Sequence, residues 1–161
     1  MRWFMMALAF LCATSPALAA DSIFTFKAGQ PIRINHIYTG PDGKSYWETL
    51  TLPPADAQAK LMKYLNAPAK DVKINAVKSG WLEGFHNTPV RVLAVMLQGT
   101  TDFDFGDGRP LEHLPAGEVL LDEDRTGKGH GAGCHSDTQF CMWVQVSLTD
   151  DAVVGLSGAG H

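Results

Sequence analysis

Short runs of alternating apolar and polar residues, broken by glycine and proline, cover most of this chain. Ile23 to Phe26 and Pro31 to Tyr38 read as strands, the second with Ile32, Ile34 and His36 alternating against Arg33, Asn35 and Ile37. Gly40-Pro41-Asp42-Gly43 is a dense turn signal. A strand from Tyr46 to Leu52 follows, with Tyr46, Glu48, Leu50 and Leu52 on one face, and Pro53-Pro54 stops it. Asp56 is placed to cap a short helix reaching Tyr64-Leu65, whose Leu61, Tyr64 and Leu65 share a face suited to docking on a sheet. Residues 66–78 read as a polar connector with one apolar stripe of Val72, Ile74 and Ala76.

The second half is more regular. Val90 to Leu97 is almost continuously apolar, as in a strand covered on both sides. Asp102-Phe103-Asp104-Phe105 alternates strictly, which sends the phenylalanines to a core and the aspartates to water. Gly106-Asp107-Gly108 and Pro115-Ala116-Gly117 are turns, with strands at Arg109 to Leu114 and Glu118 to Glu123. Residues 124–133 are glycine-rich, and Phe140 to Leu148 is a closing strand. Eight or nine short strands and one helix predict a β-sandwich or small barrel. From Thr149 the chain is rich in Gly and Ala and reads as a frayed tail.

With 161 residues, 45% of them apolar and 19% charged, the composition is that of one globular domain. The sequence pI of 5.8 speaks against a nucleic-acid binder, which needs clustered Lys and Arg to replace phosphate counterions. Eight acids against one base (Arg109) lie between Asp102 and Asp124, a solvated acidic face without the ligand spacing of a calcium loop. Gly127-Lys128-Gly129-His130-Gly131-Ala132-Gly133 lacks the phosphate-loop pattern.

Residues 1–19 have the layout of a secretory signal peptide: Arg2, an apolar run from Trp3 to Cys12, and small Ala17 and Ala19 at the cleavage positions. The run is too short to span a bilayer, which needs about 20 apolar residues. Cleavage near Ala20 or Asp21 leaves 12 basic and 17 acidic residues, a net charge of −5, and implies a periplasmic or secreted protein with no membrane association. It also leaves two cysteines, Cys134 and Cys141, which in an oxidising compartment suggest a disulfide. The alternative is a pair of free, half-buried thiols.

From Gly80 to His130 the chain resembles a cupin. Cupins carry G-x5-H-x-H-x3–4-E-x6-G and G-x5-P-x-G-x2-H-x3-N on neighbouring strand pairs. Gly80-x5-His86 and Gly99 match the first motif; Gly117 and Gly127-x2-His130 match the second, with a short insertion. The segments Tyr38-Thr39-Gly40-x-Asp42-Gly43-Lys44-Ser45 and Asp124-x-Thr126-Gly127-Lys128-Gly129-His130 are similar to those of small single-domain bacterial cupins. The resemblance implies a small all-β cupin barrel over residues 20–148, and a fold rather than a particular reaction. Cupins pair through their sheets, so it also allows a homodimer. The second motif-one histidine falls on Thr88, the glutamate on Arg91 or Val92, and the final asparagine on Cys134. The metal motifs are therefore degenerate.

Two functional readings follow. In the first, an exported protein binds a small molecule in a metal-free lumen through His86, Arg91, His130 and Trp81. Arg91 offers a bidentate site for a carboxylate there, unless it faces water. In the second, His86 and His130 hold a divalent metal (iron, manganese, zinc or nickel) in a dioxygenase- or isomerase-like enzyme. A carboxylate from residues 122–124 completes the set, with Glu123 as the candidate. Strand alternation puts Asp122 and Asp124 on one face and Glu123 on the other, so only one set faces inward with His130.

Overall fold

The computed structural model describes residues 31–52 and 68–150. The signal peptide expected over 1–19, the strand at 23–26, the helix at 56–65 and the tail beyond residue 150 lie outside them. The described regular elements are ten strands: β1 (Ile32–Thr39), β2 (Ser45–Leu52), β3 (Ala69–Lys78), β4 (Leu82–His86), β5 (Val92–Gln98), β6 (Thr100–Asp104), β7 (Glu112–Pro115), β8 (Val119–Glu123), β9 (His130–His135) and β10 (Phe140–Leu148).

They form two sheets. The larger runs β2-β1-β8-β5-β10-β3, the smaller β4-β9-β6-β7. From β3 onward the chain passes between the sheets so that β3-β10-β5-β8 opposes β4-β9-β6-β7, the strand order of an eight-stranded jelly roll, or double-stranded β-helix. The β1–β2 hairpin extends the larger sheet, with β1 parallel to β8.

Alternation fills the space between the sheets. Val92, Ala94 and Met96 of β5, Leu120 of β8, and Phe103 and Leu114 from the smaller sheet are buried there together. Ile34, Leu52, Leu121 and Leu148 form a second buried cluster, and Leu121 alternates with the inward Leu120, so this cluster lies on the outer face of the larger sheet. The apolar run of β5 has one fully buried face, Val92, Ala94 and Met96, and a half-buried outer face whose Leu93 packs against this second cluster.

Two segments depart from the expectation. Residues 66–78 are not a connector, because Ala69–Lys78 is an edge strand paired to β10. The segment is polar because an edge strand presents much of its length to water, and its apolar stripe points outward, with Val72 and Ile74 both exposed. The glycine-rich 124–133 stretch is only partly loop. Gly131 and Gly133 lie inside β9, which both β4 and β6 pair, and this pairing overrides a poor strand propensity.

Cys134 of β9 and Cys141 of β10 form a disulfide, with Cα atoms 5.8 Å apart, so these are not free thiols. It joins a strand of the smaller sheet to one of the larger. At the other end of β10, the Thr149 N–H donates to the Pro68 carbonyl at 3.0 Å. Replacing both cysteines by serine is expected to lower stability by about 2–3 kcal/mol through lost loop constraint. Urea denaturation measures this, and an unchanged midpoint would contradict it.

Candidate functional site

The site begins with two strand ends that meet. β4 ends at His86 and β9 starts at His130, and the two are direct cross-strand partners with ring centroids 4.9 Å apart. Gly129 permits this approach. Its φ is +74°, and a Cβ there would lie 2.2 Å from the His86 carbonyl oxygen, so no side chain is tolerated.

β8 supplies the acids. Leu120 and Asp122 face the interior, and the alternation carries Asp124 to the same side. The His130 Nδ1 lies 2.9 Å from Asp124 Oδ2, and both side chains are buried. Asp124 Oδ1 accepts the Thr39 hydroxyl at 2.6 Å. Asp122 Oδ2 accepts the Thr88 hydroxyl at 2.5 Å, and Oδ1 accepts the Asp124 N–H at 3.0 Å. A backbone bond from the Thr88 N–H to the Asp124 carbonyl, 2.9 Å, joins the two segments.

These groups border a cavity of about 260 Å3 between the sheets. His86, Thr88, Asp122 and His130 lie on its wall, with Trp81 and Trp143 among the apolar lining. His130 Nε2 is 3.7 Å from Asp122 Oδ2, too far for a hydrogen bond. With Nδ1 donating to Asp124, Nε2 is left without a direct hydrogen bond, and the ring packs beside His86, Phe103 and Phe105.

No family model and no curated protein matches the sequence. Among solved structures, the chain is similar to an uncharacterized Klebsiella pneumoniae protein with a double-stranded β-helix domain: 18% identity, TM-score 0.41, covering 86% of this chain and 93% of that one. It is similar to a cupin domain from Bordetella pertussis at 12% identity and TM-score 0.38, covering 78% and 99%. It is also similar to the polyketide cyclase RemF from Streptomyces resistomycificus at 16% and 0.38, covering 56% and 80%. With overlaps this loose, the strand order carries the assignment. The chain has the double-stranded β-helix fold, the architecture that cupins share.

The barrel gathers some of the expected residues and separates others. Trp81, His86 and His130 share the lumen wall. Arg91 and Glu123 do not join them. Glu123 alternates with the inward Asp122 and so leaves β8 on the outer face, where it pairs with the guanidinium of Arg91. Arg91 is therefore no carboxylate clamp in the lumen, and Glu123 cannot complete a metal set with His86 and His130. The inward acids are Asp122 and Asp124, and which set faces inward could not be read from β8, because Leu120 and Leu121 are both buried.

The donors present do not fit the metal that the cupin motifs imply. Among the described residues, no group of three or more His, Cys, Asp or Glu is arranged to hold an ion. The Nδ1 contacts of His130 with Asp124 and of His86 with the Gly84 carbonyl, 3.0 Å, would still leave each Nε2 for a metal, so the misfit rests on the missing third donor. Thr88, at the position of the missing histidine, gives its hydroxyl to Asp122 instead.

Glu123 belongs to a second cluster that the sequence did not reveal. His36, buried on the outer face, has Nδ1 2.8 Å from Glu48 and Nε2 2.9 Å from Glu123. Only an imidazolium donates from both nitrogens. Tyr38 stacks on this ring at 5.0 Å. Burial alone would lower the His36 pKa, but the hydrogen bonds to Glu123 and Glu48 outweigh it and raise it above 6.5. The hydrogen bond from His36, helped by the charge of Arg91 and opposed by burial, lowers Glu123 below 4.5.

A raised histidine stabilises the fold fully below 6.5, and that contribution fades as pH climbs through its folded value. A lowered glutamate stabilises above 4.5 and loses its effect as pH falls below that. The cluster should thus be strongest between these values. In denaturation across pH, the decline above 6.5 should shrink in His36→Gln, and superimposable profiles for variant and parent would refute the assignment.

Proposed function

We propose that this is an exported cupin-fold protein that binds a small molecule in its barrel lumen. The cavity carries the reading: about 260 Å3 of unfilled space lies between the sheets, and the buried His130, oriented by Asp124, stands on its wall. Small-molecule sites are commonly concave, mostly apolar and furnished with a few convergent polar groups. Trp81, Met96, Phe103 and Trp143 supply the apolar wall, while His86, Asp122 and His130 supply the polar groups.

Export rests on the signal-like N-terminus and agrees with the disulfide, a bond that persists in oxidising compartments. Cell fractionation should place the protein in the periplasm or medium with an N-terminus at Ala20 or Asp21, and recovery from the cytoplasm alone with Met1 intact would contradict export. Binding is tested by thermal shift against a panel of single-ring fragments. A guest at about 100 times its Kd adds roughly 2.7 kcal/mol of stability. Some fragments should raise the midpoint of the parent and lose that effect in Ala132→Phe, which fills the lumen. Equal shifts in parent and filled variant, or no shift with any fragment, would overturn the proposal.

A further inference from the structure

The charge inventory of the lumen narrows the guest, on the reading that the lumen is the binding site. Glu83 and Asp122 line it, and Asp124 stands behind His130. Among the described residues, the only basic groups on the wall are the imidazoles of His86 and His130; no described Lys or Arg lines it, and Arg91 is turned to Glu123 outside. Three carboxyl side chains stand at this wall against two imidazoles, so its acids outnumber its bases. Asp122 is the buried acid among them and Glu83 is exposed, so Asp122 is the less screened of the two and the stronger obstacle to an anionic guest.

Three further features favour a cation. The rings of Trp81, Phe103 and Trp143 line the cavity, and aromatic faces attract ammonium groups. Asp122 Oδ2 accepts one hydrogen bond, from Thr88, and the 3.7 Å gap to His130 Nε2 leaves room for a second donor, which an ammonium provides. Size sets the scale, since about 150 Å3 holds a benzene ring, and about 260 Å3 accepts one ring with a short side chain. We infer that the guest is a small protonated amine on an aromatic or comparably apolar body, and that the lumen rejects carboxylates of the same size.

Calorimetric titration of the protein at neutral pH with 2-phenylethylamine, 2-phenylethanol and phenylacetate tests this, because the three differ chiefly in charge. The amine should bind about tenfold more tightly than the alcohol, with phenylacetate weakest. Asp122→Asn should bring amine and alcohol together. Should that variant fail to fold without its Thr88 partner, Glu83→Gln, at an exposed position, should weaken the amine severalfold and leave the alcohol unchanged. Phenylacetate binding as well as the amine, or amine and alcohol binding alike, overturns the inference and leaves a lumen binding site standing. Failure of all three to bind counts against both.

Discussion

The hydrogen bond between His130 and Asp124 holds the two sheets in register around the lumen. His130 opens β9 in the smaller sheet, and Asp124 follows β8 in the larger. Both side chains are buried, where an unmade polar bond is costly. Thr39 brings β1 to the same carboxylate. Gly129 brings His86 alongside because its missing Cβ lets the two backbones touch. The lumen wall is thus built from strand ends that polar bonds draw together, while apolar packing fills the space beneath.

One strand serves two environments. β8 sends Asp122 inward and Glu123 outward, and Asp124 continues the inward side. Inside, the carboxylates orient an imidazole and leave Nε2 at the cavity. Outside, Glu123 and Glu48 clamp His36 through both ring nitrogens, and Arg91 shares Glu123. The outer cluster fastens the β1–β2 hairpin to the barrel, and the inner one shapes the lumen. The two histidines differ because only the inner one keeps a ring nitrogen free of a direct hydrogen bond.

Much of the barrel was legible because alternation and turn residues survive burial. Phe103 and Phe105 go to the core, and Asp104 to water, as their period requires. Pairing across the sheets was not legible. Residues 69–78 look like a connector because an edge strand tolerates polar residues on both faces. The sign of β8 was hidden because Leu120 and Leu121 are equally apolar and both buried. The Gly80-x5-His86 and Gly127-x2-His130 spacings brought two imidazoles together, but neither spacing shows that Thr88 answers Asp122 or that Arg91 turns away.

The central claim is that His130, pinned by Asp124, presents Nε2 to a guest in the lumen. Nitrogen-15 NMR of the histidine rings, with and without a bound fragment, reads this atom directly. The account predicts that His130 Nε2 shifts on binding while Nδ1 keeps the signature of a protonated nitrogen bonded to carboxylate, and that the His36 ring is unmoved. An unchanged His130 ring, or a response confined to His36, would contradict it.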